Sequence, residues 1–234
     1  MRLDKFLSNL KYGSRKDIRE FSRKNRIELN GEVIKDVSLE INPLQDVIKL
    51  DDEVIFYKEG IVLMINKPEG VVSANKDALF PTVMDLIKEP YNRFDLNIAG
   101  RLDKDSEGLV LLVSDGQLLH KIIHPNKEVY KRYYVSLLDP ITNEELLEKG
   151  IAIKDGRDLS YKTKPAIIEK IDSTHVYISI KEGKFHQVKR MFEAIQNEVI
   201  FLKRVSIGGL HLDETLPKGE YRECLESEIE LIFQ

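Results

Sequence analysis

The sequence predicts an α+β protein built in two parts, and three observations predict it. Apolar residues at helical spacing open the chain, an Asn-Gly hairpin signal follows them, and the rest mixes short strands with helices in no regular βαβ order. The 234 residues divide accordingly into a helix-then-strand module over 1–57, a linker at 58–60 and a larger domain over 61–234.

The elements follow in order. Leu3, Phe6, Leu7 and Leu10 define the first helix, and Gly13 ends it. Ser14 with Asp17 forms a capping box for a second helix over about 15–25. Ile27, Leu29 and Val33 flank Asn30-Gly31, a two-residue hairpin signal, and short strands continue through Val54-Ile55-Phe56. In the larger domain a strand over 61–66 is broken by Lys67-Pro68-Glu69-Gly70. Thr82 with Asp85 predicts a helix start, and a strand over 109–113 ends at Ser114-Asp115-Gly116. Residues 131–137, rich in Tyr and Val, read as a strand. Thr142 with Glu145 predicts a helix that stops at Gly150, and strands fit about 164–171 and 174–181. Val188, Met191, Phe192 and Ile195 form the buried stripe of a further helix, after which the chain reads as strands again.

Composition narrows the function classes. Hydrophobic residues make up 42% and charged residues 32%, against about 25% charged in ordinary domains; this is a globular chain and not a disordered one. The longest apolar runs, 61–65 and 109–113, fall far short of a membrane span, so no membrane partner is expected. The first residues lack the apolar stretch of a secretory signal, and Cys224 is the only cysteine. An intramolecular disulfide and a cysteine zinc cluster are excluded, and a reducing cytoplasm is the expected location. The sequence has no phosphate-binding P-loop and no G-x-G-x-x-G, so no nucleotide cofactor is expected.

The net charge of −4 hides an asymmetry: residues 1–30 carry +5 and residues 31–60 carry −5. The basic head supplies candidate polyanion ligands in Arg2, Lys5, Arg15, Lys16, Arg19, Arg23, Lys24 and Arg26. Positions 15, 19 and 23 fall on one helix face. A solvated helix pair balanced by the acidic strands next to it is the competing reading.

Three clusters carry chemistry. The densest is Gly100-Arg-Leu-Asp-Lys-Asp-Ser-Glu-Gly108, just before a buried strand. As a calcium loop it fails, because Ser114 stands where a bidentate Glu is needed and a strand follows instead of a helix. Asp103 with Asp105 as a glycosidase-like pair, and a charged surface turn, remain open. The second cluster is Glu182-Gly-Lys-Phe-His-Gln-Val-Lys-Arg-Met-Phe192, where Gln187 and Arg190 share a helix face flanked by His186 and Lys189. These residues suit an anion near a helix N-terminus, or form an ordinary solvated basic face. The third is Tyr130-Lys-Arg-Tyr-Tyr-Val135. Alternation puts Lys131 and Tyr133 on one sheet face, with Arg132 and Tyr134 on the other. An aromatic ring beside a cation fits a nucleic-acid base and its phosphate, or a plain cross-strand pair.

Taken together these stretches resemble a known family. Residues 1–57 resemble an S4 RNA-binding domain through Arg2-Leu-Asp-Lys-Phe-Leu, Ser14-Arg15 and Arg26-Ile-Glu-Leu-Asn-Gly. Residues 61–234 resemble the RsuA/RluB branch of pseudouridine synthases. That likeness is carried by Asn66-Lys-Pro-Glu-Gly-Val-Val-Ser, Gly100-Arg-Leu-Asp, Lys131-Arg-Tyr-Tyr-Val, the stretch from Gly183 to Met191, Ile207-Gly-Gly-Leu and Leu216-Pro-Lys-Gly-Glu-Tyr-Arg. The resemblance implies a mixed, mostly antiparallel sheet with flanking helices and a central cleft. It implies Asp103 as the catalytic carboxylate, Tyr133 as the ring that stacks on the target uracil, Lys189 as the basic partner of the aspartate and Arg101 as a second cation. Lys131, His186, Gln187 and Arg190 join the basic head as RNA contacts. The wording of 184–191 is nearer the small-subunit members than the large-subunit ones, which implies a uridine of 16S ribosomal RNA as target. Because the product is an isomer, neither cofactor nor metal is implied. A monomer is expected, since no sustained heptad appears. The departures are Ser106 and Ser114 where Thr is common, Ile98-Ala99 before the glycine, and Asp52 at a turn that is often Gly.

Overall fold

The structure, a computed structural model, describes residues 1–124, 128–157 and 159–234. The chain forms two compact units, one of residues 1–60 with 87–96 and the other of 61–86 with 97–234.

In the first unit α1 (Leu3–Asn9) and α2 (Arg15–Arg23) precede β1 (Ile27–Leu29), β2 (Glu32–Val33), β3 (Ile48–Leu50) and β4 (Glu53–Val54). The capping box closes: the Asp17 N–H donates to Ser14 Oγ at 3.2 Å and the Ser14 N–H to Asp17 Oδ2 at 2.8 Å. Asn30 and Gly31 both take positive φ, 51° and 87°, as a tight hairpin turn requires. The sheet runs β2-β1-β3-β4, and Leu3, Phe6, Leu7, Leu10 and Ile18 are buried beneath the helices. The segment from Ile87 to Leu96 packs here through aromatic rings. Phe56 meets Tyr91 and Phe94 edge-on at 5.7 and 5.9 Å, and Lys11 Nζ donates to the carbonyls of Asn92 and Phe94 at 3.0 Å. The contiguous division expected from sequence differs at this segment.

The second unit is built on β5 (Val62–Lys67), β6 (Asn97–Ala99), β7 (Glu107–Val113), α3 (Gly116–Ile123), β8 (Lys131–Leu137) and α4 (Glu144–Glu148). The hairpin of β9 (Ala152–Lys154) and β10 (Ser160–Lys162) follows, then β11 (Ile167–Lys170), β12 (His175–Ile180) and α5 (Gln187–Ala194). β13 (Val199–Ile207), β14 (Leu210–His211), β15 (Tyr221–Glu223) and α6 (Glu226–Leu231) complete it. Among the described residues the main sheet has nine strands, in the order β11-β12-β8-β13-β7-β5-β15, with β14 on β13 and β6 on β7. Its strand pairs are antiparallel except β13 with β7, so the mixed, mostly antiparallel sheet is as expected. Every residue of β5 and β7 is buried, which is why each contains an unbroken apolar stretch.

Two expected helix starts are corrected. Thr82 does donate to Asp85 through N–H and Oγ, at 2.8 and 2.9 Å, but the bonds close a turn; Thr82 itself bridges to Val72, and Pro90 follows too soon for a helix to propagate. The Thr142–Glu145 box does not form, because Asn143 caps α4 at φ 58° without a side-chain bond and Glu144 pairs with Lys170. α3 and α6 were absent from the sequence expectation, although Asp115 accepts from the Gln117 N–H at 2.8 Å as an N-cap should.

Candidate active site

The loop between β6 and β7 carries Asp103, and several groups hold it from behind. Ser73 Oγ donates to the Leu102 carbonyl at 2.9 Å and accepts the Leu102 N–H at 3.0 Å. Lys67 is fully buried; its Nζ donates to the carbonyls of Ser106 and Pro68 at 2.6 and 3.0 Å and reaches that of Lys104 at 3.4 Å. Burial pushes Lys67 down to about 8, against the opposing pull of Asp105 and Asp103. From β13, Arg204 donates to the carbonyls of Leu109, Gly100 and Arg101 at 2.7, 2.9 and 3.3 Å. Gly108 sits at φ +101° where a Cβ would lie 2.2 Å from the Arg204 carbonyl oxygen, so only glycine lets β7 and β13 approach this closely.

The outlying motifs lock onto the same strands. The Asn66 side chain donates to the Leu216 carbonyl at 2.8 Å, and Lys218 pairs with the buried Glu107 at 2.8 Å. Ser114 keeps a structural bond, accepting the Ile61 N–H at 2.9 Å.

Asp103 and Tyr133 line one small pocket of about 50 Å³, together with Arg101, Ser106 and His186. Tyr133 is 6% exposed, on the β8 face shared with Lys131, whereas Arg132 and Tyr134 lie on the other face against Tyr177. Ser106 Oγ is buried with no hydrogen-bond partner. Arg101 is exposed, and among the described residues no carboxylate pairs with its side chain.

The cation assigned to Asp103 is a correction. Lys189 Nζ donates to both oxygens of Asp105 at 2.6 Å. Burial pushes the Asp105 carboxyl up, but the bonds and charge of Lys189 outweigh it and leave it below its ordinary value. The side chain facing Asp103 is His186, with Nε2 3.6 Å from Oδ1. His186 caps α5 from the left-handed region at φ 52° and stacks on Phe185 at 3.8 Å.

Gln187 lines the Asp103 pocket from the start of α5. It is 3% exposed, its amide donates to Glu182 at 2.9 Å, and its oxygen accepts the Lys184 N–H at 3.1 Å. It shapes the 182–187 turn. Arg190 donates to the Lys154 carbonyl at 2.5 Å and leans over Phe185.

In the basic head, Arg2 pairs with the buried Asp4, Lys24 with Glu20 at 2.7 Å, and Arg26 with Asp51 while lying over Phe21. Lys5, Lys16 and the α2 arginines 15, 19 and 23 are exposed with no ion-pair partner among the described residues. Sequence reasoning gave no role to Arg204 and Lys67. The alternation of β13, which buries Leu202, Arg204 and Ser206 together, was the signal for the first.

This arrangement, with two sequence blocks on two units, defines an RNA-modifying enzyme fold. The first block matches the S4 domain over residues 1–48, and the second matches RNA pseudouridylate synthase over residues 61–194. The chain is 44% identical over 238 aligned positions to the uncharacterized RNA pseudouridine synthase YtzG of Bacillus subtilis (strain 168), covering 99% of this chain and 98% of that one. It is 40% identical to ribosomal small subunit pseudouridine synthase A of Haemophilus influenzae, across the whole of both chains. A crystal structure of a pseudouridylate synthase superposes with a TM-score of 0.70 at 39% identity, covering 99% of each chain. The chain belongs to the RNA pseudouridylate synthase family and carries an N-terminal S4 domain.

Proposed function

We propose that this enzyme converts one uridine of small-subunit ribosomal RNA to pseudouridine, with Asp103 as the carboxylate that does the chemistry. The observation that carries the reading is the shared pocket of Asp103 and Tyr133 on a loop braced by buried donors. The reaction breaks the N1–C1′ bond, turns the uracil and joins C5 to C1′. The C5 proton is lost and N1 gains one, so the product is an isomer and nothing is oxidised or reduced. One ionised carboxylate is the main need, either to attack the sugar or base or to remove the C2′ proton. Tyr133 holds the detached uracil by stacking, a contact of about 1–3 kcal/mol per base. Arg101, exposed in the pocket wall, meets the incoming backbone. The S4 unit adds RNA affinity through the unpaired cations of its helices, and the chain acts as a cytoplasmic monomer. The small-subunit assignment draws on the similarity to the Haemophilus influenzae enzyme over full length.

Site mapping tests this reading. Unmodified small-subunit RNA, naked and as protein-bound particles, is incubated with the enzyme, and carbodiimide adducts are read as reverse-transcription stops. One new stop, absent with Asp103→Asn, is expected. Loss of RNA binding equal to loss of rate in that variant would count against the catalytic role of Asp103.

A further inference from the structure

Beside the Asp103 pocket lies a larger cavity of about 290 Å³. The two share Tyr133, Arg101 and Lys184 in their walls. Its floor is apolar, made by Ala99, Ile122, Ile123 and Ile207. Its polar wall is almost wholly cationic: Lys131, Arg204, Lys164, Lys181, Lys184 and Arg101, with Glu182 as the one acid.

The charges are unevenly compensated. Glu128 accepts from Lys164 and Lys181 at 2.7 Å each, and so neutralises one of that pair. Glu182 spends one oxygen on two uncharged donors, the Lys164 N–H and the Gln187 amide, at 2.9 Å each. Lys184 lies over the Tyr161 ring at 3.5 Å. Arg204, 2% exposed, donates only to backbone carbonyls. The side chain of Lys131, partly buried next to it, has no hydrogen bond or ion pair among the described residues. Burial pushes Lys131 down to about 8, and Arg204 adds to the push. Two adjacent desolvated cations without a carboxylate cost stability that an apolar side chain would not. An anion in the cavity removes that cost.

We propose that this cavity is a phosphodiester subsite, taking the backbone phosphate of a nucleotide that flanks the uridine at Asp103. The assignment rests on the RNA-isomerase reading above. The position along β8 supports it: Lys131 and Tyr133 are two residues apart on one sheet face, so an anion at the first lies beside a base stacked on the second.

The test uses a small-subunit RNA fragment containing the mapped uridine, with single uncharged methylphosphonates placed on either side of it. One flanking position is expected to weaken binding and raise KM about tenfold with the native enzyme, and to add less than about twofold with Lys131→Met. The slope of log affinity against log salt is expected to fall by about one in that variant. Lys131→Arg restores both effects. The thermal midpoint of Lys131→Met is expected at or above that of the native enzyme; a lower one would contradict the account of uncompensated charge.

Equal methylphosphonate penalties in both proteins, with turnover intact, would overturn the subsite and leave the isomerase reading standing. Lys131-dependent binding effects without any pseudouridine would do the reverse. Inorganic phosphate is the remaining arm. A Lys131-dependent rise in thermal midpoint with phosphate, while no methylphosphonate matters, would mark a free-anion site and overturn the RNA assignment.

Discussion

Asp103 and Asp105 are two residues apart on one loop, yet their surroundings give them different work. Lys189 Nζ donates to both carboxylate oxygens of Asp105, while Asp103 stays half-buried in the pocket with the His186 imidazole 3.6 Å away. Lys67 is the residue on which this placement leans most. Lys67→Met leaves the Ser106 and Pro68 carbonyls without a donor and is expected to cost about 2 kcal/mol, read as a lower urea midpoint. Because the loop moves with them, kcat should fall more than KM rises. Lys131 gives a pH signature. Its folded-state value near 8 lies below the ordinary lysine value, so free enzyme loses this charge as pH rises through about 8. RNA affinity should therefore drop between about pH 7 and pH 9 in the native enzyme, and the drop should be smaller in Lys131→Met. The same depression fixes the sign for stability. The folded chain binds fewer protons than the unfolded one between about 8 and the ordinary lysine value of 10.5, so this lysine's penalty is full below the window and relieved as pH rises through it.

Among the elements, α2 and the β7–β13 contact carry the separate tasks of binding and bracing. α2 presents Arg15, Arg19 and Arg23 to solvent with its capping box closed behind them. Replacing the three by Gln is expected to reduce the salt slope of RNA binding by up to about three, while kcat at saturating RNA stays near native. Gly108→Ala forces β7 off the Arg204 carbonyl at a backbone angle that suits glycine. The cost is expected to be about 3 kcal/mol or more, near 10 °C in Tm by thermal melting. What the sequence disclosed at this scale was what local physics decides. The Ser14 box, the Asn30-Gly31 turn and the buried stripe of α5 all depend on residues a few positions apart. Thr82 carries the same local signal as Ser14, but Pro90 and the bridge to Val72 turn it into a turn. Lys67 and Arg204 were hidden for a related reason: both are buried charges whose acceptors lie far away in sequence. Lys189 could be assigned to the site from its motif, but which of two neighbouring carboxylates it holds depends on loop shape.

For the whole molecule, the net charge of −4 is a poor guide to its partner. Positive charge is concentrated in two places: the exposed face of α2 and the cavity beside Tyr133. Some acidic residues are held in ion pairs, as with Asp4, Asp51 and Glu128. Binding should therefore weaken steeply with salt despite the acidic average. Within the second unit the motifs that carry the resemblance touch: Ser73 braces the Asp103 loop, and Lys218 pairs with Glu107 at the start of β7. Those contacts explain why blocks so far apart in the chain occur as a set.

The central claim is that Asp103 carries the isomerisation and is not merely part of an RNA-binding surface. Joining C5 to C1′ expels the hydrogen on C5, so RNA labelled with tritium at uracil C5 reports the reaction directly. The native enzyme should release tritium up to one equivalent per RNA, and Asp103→Asn should release none while binding the same RNA with near-native affinity. Tritium release by Asp103→Asn at a rate close to native would contradict the account.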